Sequence, residues 1–176
     1  MRKLIQLLAM AVIAAPGVVH AAAAPCLTAR EFTDLSTYAL PSIITGTAQR
    51  CSGTLGPEAF LKRGGNALAA RYAAAKPAAW PGAKAAFLKL SSGMHADAGG
   101  IFKALPDDKL QPMVGTLVEG LIAQQVPTER CGAIDRAVRL LSPLPAQNTA
   151  ELIALAVGLG LRGGGGKVGQ IAICAA

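Results

Sequence analysis

His95 and Asp97 are the one pair of side chains in this sequence whose types and nearness suit acid–base work. Residues two apart do not face each other on a helix, so the pair could share a substrate only from a loop. A solvated loop histidine is the plainer reading. A serine nucleophile would need a base other than His95, and no spacing supplies one. The four cysteines, Cys26, Cys51, Cys131 and Cys174, include no CxxC and have no histidine beside them. Zinc and haem attachment are thereby disfavoured, and two structural disulfides are expected. No catalytic residue, metal site or cofactor is assigned.

Two glycine patterns resemble phosphate-binding loops. Gly158, Gly160 and Gly163 fit GxGxxG, but that motif works only where a strand turns into a helix. Here it falls inside an apolar helical stretch with 13 residues left after it. The run from Gly163 to Lys167 lacks the Walker spacing, and Val168 stands where a Ser or Thr is needed. Of the ten acids, Glu31, Glu58, Asp107, Asp108, Glu129 and Glu151 fall at expected helix starts, where caps and the macrodipole favour them. Arg71 is unusual, because its helical position lies within the apolar stripe of Phe60, Gly64, Leu68 and Tyr72. Such an arginine either snorkels to water or grips an anion at the polar end of a pocket.

The charge map carries one more signal. Residues 62–103 hold Lys62, Arg63, Arg71, Lys76, Lys84, Lys89 and Lys103 against Asp97 alone, a local charge of +6. A basic face of Lys62, Arg63, Lys76, Lys84, Lys89 and Lys103 suits an anionic partner: a protein, a lipid head group or a cell-wall polymer. The plainer reading is a solvated surface that keeps an alanine-rich chain in solution. Nucleic acid is disfavoured, since no aromatic-basic stacking platform is present.

Composition sets the frame for these residues. The chain has 176 residues, 52% hydrophobic and only 15% charged, with 36 alanines and 20 glycines. Disordered chains are charge-rich and apolar-poor, so an ordered domain is expected. Residues 1–23 read as a cleaved export signal. Arg2 and Lys3 form its positive start, residues 4–19 an apolar core, and Ala21 to Ala24 offer small residues for cleavage. Gln6 and Pro16 interrupt that core, which argues against a membrane anchor. Cleavage removes His20 and takes the net charge from +7 to +5. No later segment is long and apolar enough to span a membrane, so a periplasmic or secreted protein is expected.

The elements that must position these residues are helical. Thr28 and Glu31 form a capping box, followed by Phe32, Leu35, Ala39 and Ile43 at helical spacing. Pro41 is expected to kink or break this helix near Tyr38. Pro57 and Glu58 open a second helix carrying Phe60 to Tyr72, which Lys76 and Pro77 end, and a third runs from about Ala79 to Leu90. Residues 91–100 are undecided between loop and short helix. Leu110, Met113, Val114, Leu117, Leu121 and Ile122 make the strongest buried stripe, behind a cap at Asp107 or Asp108. Thr128 caps a further helix, and Asn148 with Glu151 makes a second capping box before the last. Residues 163–176 form a glycine tether and a tail whose strand-like piece has nothing to pair with.

The expectation is therefore an all-α single domain over residues 24–162, an irregular or orthogonal bundle of five to seven helices. A continuous first helix would hold Cys26 and Cys51 about 33 Å apart, too far for a bridge. Simple up-down packing then favours Cys26 with Cys131 and Cys51 with Cys174, unless a helix in 94–104 reverses the parity. The function expected is non-catalytic: an exported cell-envelope protein that meets an anionic partner through its basic face. The alternative is a small-ligand or lipid carrier with an apolar cavity and Arg71 at its polar end.

Overall fold

A computed structural model describes residues 26–94, 96–164, 167–168 and 171–174. Residues 1–23, expected to be an export signal and including His20, lie outside the described residues, as does His95. Eight helices carry the chain: α1 (Ala29–Cys51), α2 (Phe60–Arg63), α3 (Gly65–Ala73), α4 (Lys76–Met94), α5 (Ala96–Ala104), α6 (Asp107–Gln125), α7 (Cys131–Leu141) and α8 (Ala146–Gly164). Short strands β1 (Cys26–Leu27), β2 (Lys167–Val168) and β3 (Ile171–Ile173) join the two ends of the chain.

The capping box at Thr28 is formed as expected. The Thr28 N–H donates to Glu31 Oε2 at 2.8 Å and the Glu31 N–H to Thr28 Oγ1 at 3.2 Å. Pro41 does not break α1, which runs on for 23 residues. The Thr45 hydroxyl donates to the Pro41 carbonyl at 3.0 Å, and Thr116 does the same for Pro112 inside α6.

Helix starts depart from the sequence signals where tertiary partners replace local caps. The second helix begins at Phe60 rather than Pro57 and is split at Gly64. The Leu61 N–H in its first turn is satisfied by Asp135 Oδ1 of α7, 2.7 Å away. Lys76 and Pro77 open α4 instead of ending the helix before it, because a proline is tolerated in a first turn. Residues 91–100 are helical apart from position 95, which is not described. Thr128 starts a 3-10 turn (Thr128–Arg130) ahead of α7. Asn148 lies inside α8, which begins at Ala146.

α1 contributes to all three hydrophobic clusters. Leu40 and Ile44 pack with Leu61, Leu68, Tyr72, Ala146 and Ala150. Tyr38 packs with Trp80, Ala83, Leu110 and Val114. Phe32 packs with Leu27 and Ala86. Leu110 and Val114 are buried, but Leu117 and Leu121 of the expected α6 stripe are exposed. α1 approaches α6 closely: a Cβ on Gly46 would stand 2.6 Å from the Glu119 carbonyl oxygen.

The disulfides are Cys26–Cys174 and Cys51–Cys131, with Cα separations of 5.0 and 5.5 Å. This corrects the pairing expected from up-down packing. The unbroken α1 does keep Cys26 from Cys51, but α5 and the separate α2 add two helices to the count, so simple up-down alternation does not describe the chain. The tail also finds partners. β3 lies parallel to β1 and antiparallel to β2, and the Cys174 N–H donates to the Leu27 carbonyl at 2.9 Å. The partner that the sequence did not reveal is the two-residue strand Cys26–Leu27, remote from the tail in the chain.

Gly46→Ala should destabilise the chain by about 1–3 kcal/mol, because the added methyl meets backbone that cannot swing aside. Gly82→Ala, where the methyl meets the Asp34 side chain rather than backbone, should cost less. Thermal unfolding of both variants checks this, and equal melting temperatures would contradict the close α1–α6 approach.

Candidate functional site

The lysines of α4 are drawn into the fold. Lys84 Nζ lies 2.5 Å from Asp107 Oδ1, and Trp80 Nε1 donates to Asp107 Oδ2 at 2.8 Å. These two donors, Lys84 foremost, hold the Asp107 carboxyl below its ordinary range. Lys89 Nζ donates to both Glu31 oxygens, at 2.7 and 2.8 Å. Hydrogen bonds from Lys89 first, then from the Thr28 backbone, hold Glu31 below its ordinary value of 4.5. Lys76 lies 4.4 Å from the centroid of the Tyr38 ring, and burial pulls its ammonium toward the neutral form. The Tyr38 hydroxyl in turn donates to the Gln111 carbonyl at 2.8 Å, and burial raises its pKa. These lysines tie α4 to α1 and α6, so the expected face of Lys62, Arg63, Lys76, Lys84, Lys89 and Lys103 is not a row of free charges. Lys62 and Lys103 are exposed, and Arg63 pairs with Glu58.

Arg71 is exposed on α3. Its Nη2 donates to the Ser142 carbonyl at the end of α7, and its guanidinium carbon is 5.6 Å from the Tyr72 ring centroid. Tyr72 beneath it reaches Thr149 Oγ1 at 2.9 Å. Arg71 thus ties α3 to the α7–α8 turn, as a rim arginine does. An open hollow of about 320 Å³ lies along α8, lined by Leu144, Asn148, Glu151, Leu152 and Leu155. Arg71 is not in its lining.

A different cluster of cations emerges at the far end of α1. Cys51–Cys131 fastens α7 to that end, and the Leu61–Asp135 hydrogen bond fastens α2 to α7. The segments so joined carry Arg50, Lys62, Arg63, Arg130, Arg136 and Arg139, all exposed, together with Glu58, Glu129 and Asp135, and Arg50 Nε donates to the Val126 carbonyl at 3.0 Å. Glu58 is paired with Arg63, and Asp135 is turned toward Leu61. Arg130, Arg136 and Arg139 make no ion pair within 4.0 Å among the described residues. A scan for linear charge overlooks α7, because Glu129 and Asp135 nearly balance its arginines there. Only folding turns Asp135 inward and leaves the arginines outside.

All four cysteines are in disulfides, so no free thiol is present. Among the described residues no three His, Cys, Asp or Glu side chains converge as metal ligands. No family model, curated protein or solved structure matches the chain.

The Glu31 ion pair makes stability depend on acid. Its folded pKa is depressed, so its contribution is complete above the ordinary value and is lost as the pH falls through the lower folded one. Glu31→Gln keeps a side chain suited to the capping box but loses the Lys89 pair. The variant should melt below the native chain at neutral pH, and the two curves should converge below about pH 4. A gap independent of pH would contradict the assignment.

Proposed function

We propose that this chain is a non-catalytic, exported protein of the cell envelope that binds an anionic partner. Several features support export. Residues 1–23 have the charge and hydropathy of a secretory signal. Two disulfides fit an oxidising compartment. Among the described residues no helix is long and apolar enough to cross a membrane.

The observation that carries the binding reading is the cluster of Arg50, Lys62, Arg63, Arg130, Arg136 and Arg139 around the Cys51–Cys131 staple. All six side chains are exposed; Arg63 pairs with Glu58 and Arg50 Nε donates to the Val126 carbonyl, while Lys62, Arg130, Arg136 and Arg139 make no ion pair among the described residues. The partner face of residues 62–103 is retained at Lys62 and Arg63 and extended onto α7. Lys84 and Lys89 belong to the fold instead, since their charges meet carboxylates on other helices, Asp107 of α6 and Glu31 of α1.

Retention of the mature, oxidised chain on an immobilised sulfated polysaccharide tests the reading. Binding should weaken on the order of tenfold as ionic strength rises from about 0.05 to 0.3 M, because exposed charges are screened over that range. Lys62→Glu with Arg63→Glu should weaken it further. Lys84→Glu should lower the melting temperature more than the binding. No retention at low salt, or retention indifferent to the Lys62 and Arg63 reversals, would refute the proposal.

A further inference from the structure

α7 has a division of labour that the fold alone does not require. Cys131 is buried in its disulfide, Val138 packs against the Leu40 and Ile44 cluster, and Asp135 serves the Leu61 N–H. These residues define the inner face. By helical spacing, Ala133, Arg136, Ala137 and Leu140 lie on the opposite side, with Arg139 at its edge. Leu140 is 68% exposed, the highest value among the exposed large apolar side chains. It is placed one turn from Arg136, with Arg139 about 100° round the axis on the flank between the two faces. The carboxylate that i, i+4 spacing would offer to Arg139 is Asp135, which is committed elsewhere.

We infer that this outer face of α7 docks on an anionic phospholipid surface, with Leu140 entering the acyl boundary and Arg136 and Arg139 holding head-group phosphates. The inference rests on the anionic-partner reading and narrows it to one partner. Charge complementarity favours an anionic surface, and Leu140 selects among such surfaces. A dissolved polyanion would use the arginines and leave an exposed leucine without purpose. A lipid interface offers phosphate at one depth and hydrocarbon a few ångströms below, matching an amphipathic helix lying in its plane. Gly132, Ala133 and Ala137 are small, so no bulky side chain among them holds the helix off the surface. Lys62 and Arg63 on the adjoining α2 and Arg130 just before α7 are further exposed cations on the segments joined to it.

Vesicle flotation with the mature, oxidised chain tests this, using phosphatidylcholine vesicles with and without about one-third phosphatidylglycerol, alongside the immobilised polysaccharide. Binding is expected only to the anionic vesicles. Arg136→Gln with Arg139→Gln should weaken it about thirtyfold, at roughly fivefold per cation near such a surface. Leu140→Ser should weaken it about tenfold on vesicles while leaving polysaccharide retention unchanged. Leu155→Ser, an equally conservative change on α8, should leave both unchanged. Unaltered melting temperatures confirm that the exposed substitutions leave the fold intact. Vesicle binding that survives the α7 variants would overturn the inference while leaving the anionic-partner reading in place. So would retention on the polysaccharide without vesicle binding. Failure to bind either would overturn both.

Discussion

A helix covered on every side cannot be amphipathic, and α1 is such a helix. Six consecutive residues, from Thr37 to Ser42, are buried, which spans all directions around the axis at 100° per residue. Each face must therefore meet a partner, and α3, α4, α6 and α8 all pack against it. The composition follows from that demand. Ala39, Gly46 and Thr47 allow close approach, while Leu40, Ile44 and Tyr38 fill the space between neighbours. The cost is visible at Thr37, whose buried hydroxyl has no hydrogen-bond partner among the described residues.

The two disulfides lie at the two ends of this helix. Cys51 is its last residue and Cys26 stands just ahead of its cap. One fastens α7 and the other fastens the C-terminal tail, each across a long stretch of sequence. Such cross-links typically contribute about 2–4 kcal/mol by restricting the unfolded chain. Here they have a second effect: they decide which surface elements are held near which end of α1. The arginines of α7 and the cations of α2 share a neighbourhood because Cys51–Cys131 and Asp135 put them there. The lysines of α4 follow the opposite course, since packing along α1 and α6 brings them to Glu31 and Asp107.

Local signals in the sequence were legible where local physics decides. Thr28 and Glu31 cap α1 as their spacing implies, and Leu110 and Val114 point inward on α6. Long-range partners governed the rest. The start of α2 depends on Asp135, some 74 residues away in the chain. The disulfide pairing depends on how the helices follow one another, and neither the helix Ala96–Ala104, in a stretch rich in glycine, nor the break at Gly64 has a clear local signal. Pro41 alone predicts a kink or a break near Tyr38, but α1 is not broken there, and packing on all sides offsets one missing hydrogen bond. The basic surface was legible only in part, because linear charge counts acids and cations together and cannot show that Asp135 faces inward.

The central claim is that α1 is the element on which the others are assembled, and native-state hydrogen exchange tests it most directly. Amides from Leu40 to Thr47, apart from the proline, should exchange only through global unfolding and be the slowest in the chain. Amides in α7 and α5, each resting on fewer neighbours, should open by lower-energy local routes. Exchange of the α1 amides through local opening, at rates matching or exceeding those of α5 and α7, would contradict the account.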